Sequence, residues 1–170
     1  MPESRRQLTL FIYEPNGAIE KIRAAFNPGQ FNLIPAHITL CREDEIEPIE
    51  PVIENLKSTC LTGPLRIEFG PVERFGDGKG VFLPGKLENP GFDELRKDVL
   101  NGIIGFPRNH RPHITLMHPR NSTCTDELFE RIKEYTLPAV LIFDTISLIE
   151  QRDCRPWTVL EQFPIRRPWN

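Results

Sequence analysis

The chain has 170 residues, of which 39% are hydrophobic and 26% charged, as in an ordinary soluble globular protein. This length suffices for a full hydrophobic core and predicts a single domain over residues 1–170. A formal net charge of −3 argues against a long footprint on DNA or RNA, whereas a nucleotide or a short RNA end remains compatible with it.

The first half of the chain alternates between strand and helix patterns. Apolar, aromatic and β-branched residues in 8–13 predict a strand, and Ile19, Ile22 and Phe26 share one face of a predicted helix. Asn27-Pro28-Gly29 is expected to end that helix. We predict, in order, strand 8–13, helix 18–26, strand 37–40, helix 48–58, and strands 65–74 and 80–84 joined by a glycine-rich turn at 75–79.

The second half continues with a similar alternation. Phe92, Leu95 and Val99 give the apolar stripe of a helix. We predict, in order, helix 92–102, strand 113–116, helix 126–135, one long strand at 141–149, a loop at 152–156 and a returning strand at 157–163. No linker of the kind that separates domains interrupts this order.

The tetrapeptide His-Ile-Thr-Leu occurs twice, at 37–40 and at 113–116. Equivalent positions of the two copies are offset by 76 residues, and the same offset places the apolar run at Leu65 onto the run at Leu141. It likewise places the segment at Val81 onto the segment at Trp157. Recurrence in phase with helix and strand signals indicates an internal duplication. We therefore expect two pseudo-equivalent halves that face each other across a cleft.

Each copy of the motif has the alternation of a strand with one buried face. Side chains two residues apart in a strand point to the same side, so His37 and Thr39 share one face, as do His113 and Thr115. The isoleucine and leucine of each copy occupy the opposite face, where they can pack on helices. Imidazole and hydroxyl groups from both halves are thus expected to meet in the cleft.

Two imidazoles on either side of a phosphate can perform acid/base chemistry on a phosphoester without a metal. One histidine would deprotonate a water molecule, while the other, protonated, would donate to the leaving ribose oxygen. The hydroxyls of Thr39 and Thr115 would donate hydrogen bonds to the non-bridging phosphate oxygens. Alternatively, the histidines are structural, and the threonines reflect only β-propensity.

The motifs and their flanks resemble those of the 2H phosphoesterase superfamily, which includes the RNA 2′,3′-cyclic phosphodiesterases formerly called 2′-5′ RNA ligases. The segments Leu-Ile-Pro-Ala-His-Ile-Thr-Leu at 33–40 and Arg-Pro-His-Ile-Thr-Leu at 111–116 carry this resemblance, down to the proline close before each histidine. It extends over nearly the whole chain, from the strand at Leu8 to the strand at Val159.

The resemblance implies an α+β class and a bilobal, duplicated fold with two antiparallel sheets lining a central cleft and helices outside. It implies that His37 and His113 are the acid/base pair and that Thr39 and Thr115 hold the phosphate. No cofactor is implied. The expected reaction is hydrolysis of the 2′,3′-cyclic phosphate of a nucleotide or RNA end. The alternatives are cleavage or ligation of a 2′-5′ phosphodiester and a non-catalytic role in binding nucleotides or RNA ends.

Further contacts with the substrate are expected from aromatic and basic residues. Phe11, Tyr13 and Trp157 could stack on a nucleobase, although core packing is the alternative for each. Arg42 and Arg155 could bind phosphate or ribose at the rim of the cleft, or they could be solvated charges. A second set of residues is not expected to take part: His118 should point away from the cleft, and Pro112 separates His110 from His113 in a way that argues against a metal site there.

The four cysteines, at positions 41, 60, 124 and 154, lack the spacing of a zinc site. The sequence contains no apolar run long enough to span a membrane and no charged-then-apolar leader at its start. We therefore expect reduced thiols, no bound metal, no membrane partner and a cytoplasmic location.

Overall fold

The computed structural model describes residues 3–14 and 17–166. In chain order the elements are β1 (Ser4–Phe11), α1 (Ala18–Phe26), α2 (Pro28–Leu33), β2 (His37–Cys41), a 3-10 turn (Glu43–Glu45), α3 (Ile49–Ser58), β3 (Leu65–Glu68), β4 (Glu73–Arg74), β5 (Val81–Pro84), α4 (Pro90–Val99), β6 (His113–Met117), α5 (Asp126–Lys133), β7 (Val140–Phe143), β8 (Thr145–Arg152) and β9 (Thr158–Pro164).

The strands form two antiparallel sheets of unequal size. The larger has seven strands in the order β4-β5-β6-β2-β1-β8-β9, and the smaller pairs β3 with β7. The expected α+β class with two antiparallel sheets is confirmed. The two motif strands, β2 and β6, are neighbours at the middle of the larger sheet, so the motifs lie side by side.

The pairing registers reveal a pseudo-two-fold axis. Ile38 of β2 pairs with Ile114 of β6, and Arg66 of β3 pairs with Ile142 of β7. In both pairs the partners are 76 residues apart, which is the offset of the sequence repeat. When equivalent residues of two repeats face each other in an antiparallel pair, a two-fold axis runs between them. The expected duplication is therefore confirmed.

The order of strands corrects one detail of the predicted repeat. The segment at Val81 was expected to be equivalent to the segment at Trp157, and this is wrong. Strand β5 lies beside β6 as β1 lies beside β2, so β5 is the counterpart of β1. Strand β9 lies at the far edge of the sheet beside β8, where it has no counterpart in the other repeat.

Two predicted strands are divided in the structure, and one helix was not predicted. The long strand at 141–149 is interrupted at Asp144, so β7 joins the small sheet and β8 the large one. The strand at 65–74 is likewise divided into β3 and β4. Helix α1 ends at Phe26 with Asn27 as its C-cap, as predicted, but a second helix, α2, was not predicted to follow. Pro28 occupies the first turn of α2, where its missing N–H has no partner to lose.

The motif strands bury one face and leave the other open, as their alternation predicted. Ile38 and Ile114 are fully buried, and helices α1 and α4 pack on this side with Ile19 and Phe92 fully buried. Helix α1 contacts β6, whereas α4 contacts β2. Each motif strand is thus supported by the helix of the other repeat, and the histidines and threonines face away from this core.

No helix in the described ranges is at once long enough and apolar enough to cross a lipid bilayer.

Candidate active site

A cavity of about 560 Å³ lies over the open face of the two motif strands. His37, Thr39, His113 and Thr115 all line it, and each is partly exposed, whereas the residues between them are buried. The structure therefore brings together the four side chains that the duplicated motif singled out.

The register of the central strands fixes how these four side chains are arranged. Because Ile38 pairs with Ile114, His37 lies across from Thr115, and Thr39 lies across from His113. Side chains directly opposite each other are about 4.5–5.5 Å apart at Cβ, and diagonal neighbours about 7–8 Å. The two histidines therefore occupy one diagonal of a square and the two threonines the other. A phosphate group above its centre is within reach of all four.

Both histidines are held in the same way by the backbone. Nδ1 of His37 lies 2.9 Å from the carbonyl oxygen of Pro35, and Nδ1 of His113 lies 3.1 Å from that of Arg111. A carbonyl oxygen can only accept, so each Nδ1 carries the hydrogen. The Nε2 atom of each neutral ring consequently has a free lone pair, which is the form that a general base needs.

The surroundings favour the neutral form of both rings. Burial, together with the charge of Arg23, lowers the pKa of His37 to about 4. Burial also lowers the pKa of His113, with Arg42 contributing. Both rings are therefore neutral near pH 7 in the empty site. A bound phosphate anion raises both pKa values, since a nearby negative charge favours imidazolium.

Aromatic rings fix the positions of the two imidazoles. The edge of Phe11 lies against His37 with ring centres 6.4 Å apart, and Phe82 and Phe75 lie against His113 at 5.6 and 5.9 Å. All three contacts are edge-to-face, a favourable geometry for such pairs. The rings are thus held from the side, and their Nε2 atoms remain accessible from the cavity.

A third histidine, His110, joins the two repeats at the site. It is 8% exposed, and its Nε2 donates to the carbonyl oxygen of Thr39 at 3.0 Å. Its ring stacks on Phe92 and lies 5.9 Å from the ring of His113. Burial lowers its pKa to about 4, and the charge of Arg96 adds to this effect. The neutral ring therefore anchors the first motif strand from the loop that precedes the second.

The remaining predicted contacts divide into two groups. Arg42 and Trp157 line the cavity. Phe11, Tyr13 and Arg155 are not among its lining residues. Phe11 packs on His37. The side chain of Tyr13 is 83% exposed and lines two other surface pockets. The backbone oxygen of Arg155 accepts a hydrogen bond from Gln151.

The expectation that His118 points away from the cleft is wrong, because its side chain lines the cavity. Strand β6 ends at Met117, so the alternation that predicted its direction no longer applies. Sequence reasoning also missed several polar residues of the wall, since nothing local shows that β1, the first two helices, the 3-10 turn and the segment after β6 border the cleft. These are Arg5, Arg6, Gln7, Arg23, Gln30, Glu43, Asp44 and Arg120.

In the part of the chain that the structure describes, no group of three or more His, Cys, Asp or Glu side chains is placed to hold a metal ion. All four cysteines are free thiols.

Comparison with known proteins gives one family and one fold. A sequence model of the 2′-5′ RNA ligase superfamily matches residues 13–154, which is most of the chain. Among curated protein sequences, none matches the chain.

Solved structures with the same fold include several of LigT from E. coli. Its apo form superposes with a TM-score of 0.60 at 15% identity over 96% of this chain and 98% of that one. Its complex with 3′-AMP superposes with a TM-score of 0.58 at 18% identity, over 98% of this chain and 99% of that one. The structure of a phosphoesterase superposes with a TM-score of 0.58 at 14% identity, over 96% of this chain and 99% of that one.

Proposed function

Since the chain belongs to the 2′-5′ RNA ligase superfamily, we propose that it is a metal-independent phosphoesterase that hydrolyses a 2′,3′-cyclic phosphate to a phosphomonoester. The substrate is a nucleotide or a short RNA end. The observation that carries the proposal is the square of His37, Thr39, His113 and Thr115 on the floor of one cavity, with Nδ1 of each histidine bound to a backbone carbonyl.

The reaction needs one neutral and one protonated histidine. The neutral imidazole takes a proton from water through Nε2 while the water oxygen forms a bond to phosphorus. The bond from phosphorus to one ribose oxygen breaks, and the protonated imidazole gives its Nε2 proton to that oxygen. The two histidines exchange protonation states in the process, and proton exchange with solvent restores them. The diagonal placement puts the two rings on opposite sides of the phosphate, as attack and departure require.

The threonines stabilise the charge that develops on the phosphate. The hydroxyls of Thr39 and Thr115 lie on the other diagonal, so each can donate to a non-bridging oxygen. Binding of the anionic substrate also raises the pKa of both histidines, which supplies the protonated partner that the empty site lacks at neutral pH.

The size of the cavity and the relatives both support a nucleotide as substrate. A volume of about 560 Å³ is in the range that accommodates a small ligand. Solved structures of E. coli LigT contain 3′-AMP, ATP or NADP+. Four free thiols fit a reducing compartment, and we place the protein in the cytoplasm.

The test is turnover of a panel that contains 2′,3′-cyclic nucleotides, 2′,5′-oligoadenylate and ADP-ribose cyclic phosphate, in the presence of EDTA. We expect hydrolysis of the cyclic phosphates by the wild type and a loss of at least 10³-fold in His37→Gln and His113→Gln. Arg66→Gln is the matched control, because this exposed strand residue lies outside the cavity.

Three results would contradict the proposal. Activity that EDTA abolishes would exclude the metal-independent mechanism. A folded wild type that binds 3′-AMP but turns over no member of the panel would indicate a binding protein instead of an enzyme. Preferential cleavage of 2′,5′-oligoadenylate would replace the proposed substrate with a 2′-5′ phosphodiester.

A further inference from the structure

The wall of the cavity carries an excess of positive charge. Five arginines line it, against two carboxylates, Glu43 and Asp44, of which Asp44 is paired with Arg108. Arg6 is paired with Glu150 at 3.1 Å, and Arg23 with Glu20 at 2.5 Å. The other three, Arg5, Arg42 and Arg120, have no ion-pair partner within the described ranges.

Two of these three arginines lie together, beside His118. The backbone N–H of Arg120 donates to Nδ1 of His118 at 3.1 Å, and both side chains line the cavity. Arg5 and Arg120 also line a second cavity, of about 280 Å³, together with Glu3, Gln151 and Cys154, so the two arginines are near each other. Burial lowers the pKa of His118, and the charges of Arg120 and Arg5 also lower it, which is consistent with their proximity.

The imidazole of His118 is oriented differently from those of the motif histidines. A backbone N–H can only donate, so Nδ1 of His118 accepts, and the hydrogen of the neutral ring is on Nε2. Nδ1 of His37 and of His113 carries the hydrogen instead. His118 therefore offers a donor to an anion where the motif histidines offer a lone pair, which suits binding and not proton abstraction.

The positions of these groups are fixed by neighbouring residues. The backbone N–H of His118 donates to the side chain of Asn27 at 2.8 Å, and Asn27 is 1% exposed. The guanidinium of Arg5 is hydrogen-bonded to Gln151 and lies over the ring of Trp157, 5.3 Å from its centre. The side chains of His118 and Arg5 therefore lose little conformational entropy when an anion binds.

We propose that Arg5, His118 and Arg120, next to the ring of Trp157, form a subsite for a second phosphate of the substrate. This inference rests on the proposed function, because the first phosphate is the cyclic one held by the motif residues. The preferred substrate is then a cyclic phosphate that carries a further phosphodiester or pyrophosphate, and not a mononucleotide. Arg42, which directly follows β2, is not assigned to this subsite.

The test compares substrates with one and two phosphates at fixed ionic strength. Adenosine 2′,3′-cyclic phosphate carries one, and the dinucleotide ApA with a terminal 2′,3′-cyclic phosphate carries two. We expect the wild type to favour the dinucleotide at least tenfold in kcat/KM, and Arg120→Gln to reduce this ratio to about one. Arg66→Gln, which removes an exposed arginine outside the cavity, should retain the wild-type ratio.

Two further probes identify the source of the second phosphate and separate this inference from the proposed function. A larger preference for ADP-ribose 1″,2″-cyclic phosphate than for the dinucleotide would assign the subsite to a pyrophosphate. If the protein turns over none of these substrates, the proposed function fails, and binding then tests the inference. The Kd of 3′-AMP should exceed that of ApA 3′-phosphate at least tenfold in the wild type, and the two values should be about equal in Arg120→Gln. Equal values for the two ligands in the wild type, or an unchanged ratio in Arg120→Gln, would overturn the subsite.

Discussion

The guanidinium of Arg96 lies 2.7 Å from the carboxylate of Glu45, and both side chains are almost completely buried beneath the first motif strand. Arg96 also donates to the carbonyl oxygen of Leu40 and, at 3.2 Å, to that of Arg108. One side chain thus joins α4, the end of β2, the 3-10 turn and the loop that leads to the second motif. The square of site residues depends on these elements keeping their relative positions.

Arg96→Met is expected to lower the free energy of unfolding by about 3–5 kcal/mol, because it leaves the buried carboxylate of Glu45 without its main partner. Urea denaturation followed by circular dichroism measures this change. The double variant Arg96→Met/Glu45→Met should recover part of the loss, since no uncompensated charge remains. A double variant as unstable as the single one would show that the hydrogen bond to Leu40 matters more than the ion pair.

The pH profile of kcat/KM should be bell-shaped, with its maximum below pH 6.5. Activity requires one neutral and one protonated histidine, so the rate rises above one pKa and falls above the other. The pKa of His37 is lowered to about 4, and that of His113 is lowered from 6.5, so both limbs lie on the acidic side. The prediction is independent of which histidine is the acid. The profile of kcat should lie at higher pH, because the bound phosphate raises both pKa values. A kcat/KM plateau extending past pH 8 would contradict it.

The protein should lose stability as the pH falls from 7 to 5. His37 and His110 take up protons near pH 4 when folded and near 6.5 when unfolded, so the unfolded state binds more protons throughout this window. Each contributes stability that is complete above pH 6.5 and that falls by about 2 kcal/mol by pH 5. Thermal melts at a series of pH values measure the effect. His110→Gln should reduce the slope, and a melting temperature that is constant between pH 7 and 5 would rule the linkage out.

Thr39→Val and Thr115→Val should each lower kcat by about 10²–10³-fold, the usual effect of removing one donor to a developing negative charge. The shape of the side chain is retained, so the melting temperature should change little. Thr39→Ser and Thr115→Ser are the matched controls, because they keep the hydroxyl, and each should restore most of the activity. If the valine variants are as active as the serine variants, the hydroxyls do not contact the phosphate.

The sequence predicted those features that depend on local pattern. The alternation in His-Ile-Thr-Leu identified which side chains face the cavity, and the offset of 76 residues identified the equivalence of the two strands. Features that depend on long-range packing were not predictable. The break at Asp144 lies inside one strand-like segment, and only the pairing with β3 shows that β7 belongs to another sheet. Nothing local to Arg5 or Arg120 indicates that both border the motif strands.

The pairing of Ile38 with Ile114 has a consequence for how such a protein could arise. Each repeat contributes one histidine and one threonine, and the two contributions meet on the axis between them. A chain of half this length could therefore build the whole square only by associating with an identical copy, in the manner of a C2 dimer. Fusion of the two copies makes the assembly independent of protein concentration. It also frees each half to change alone, and β9 is a strand that only one half has.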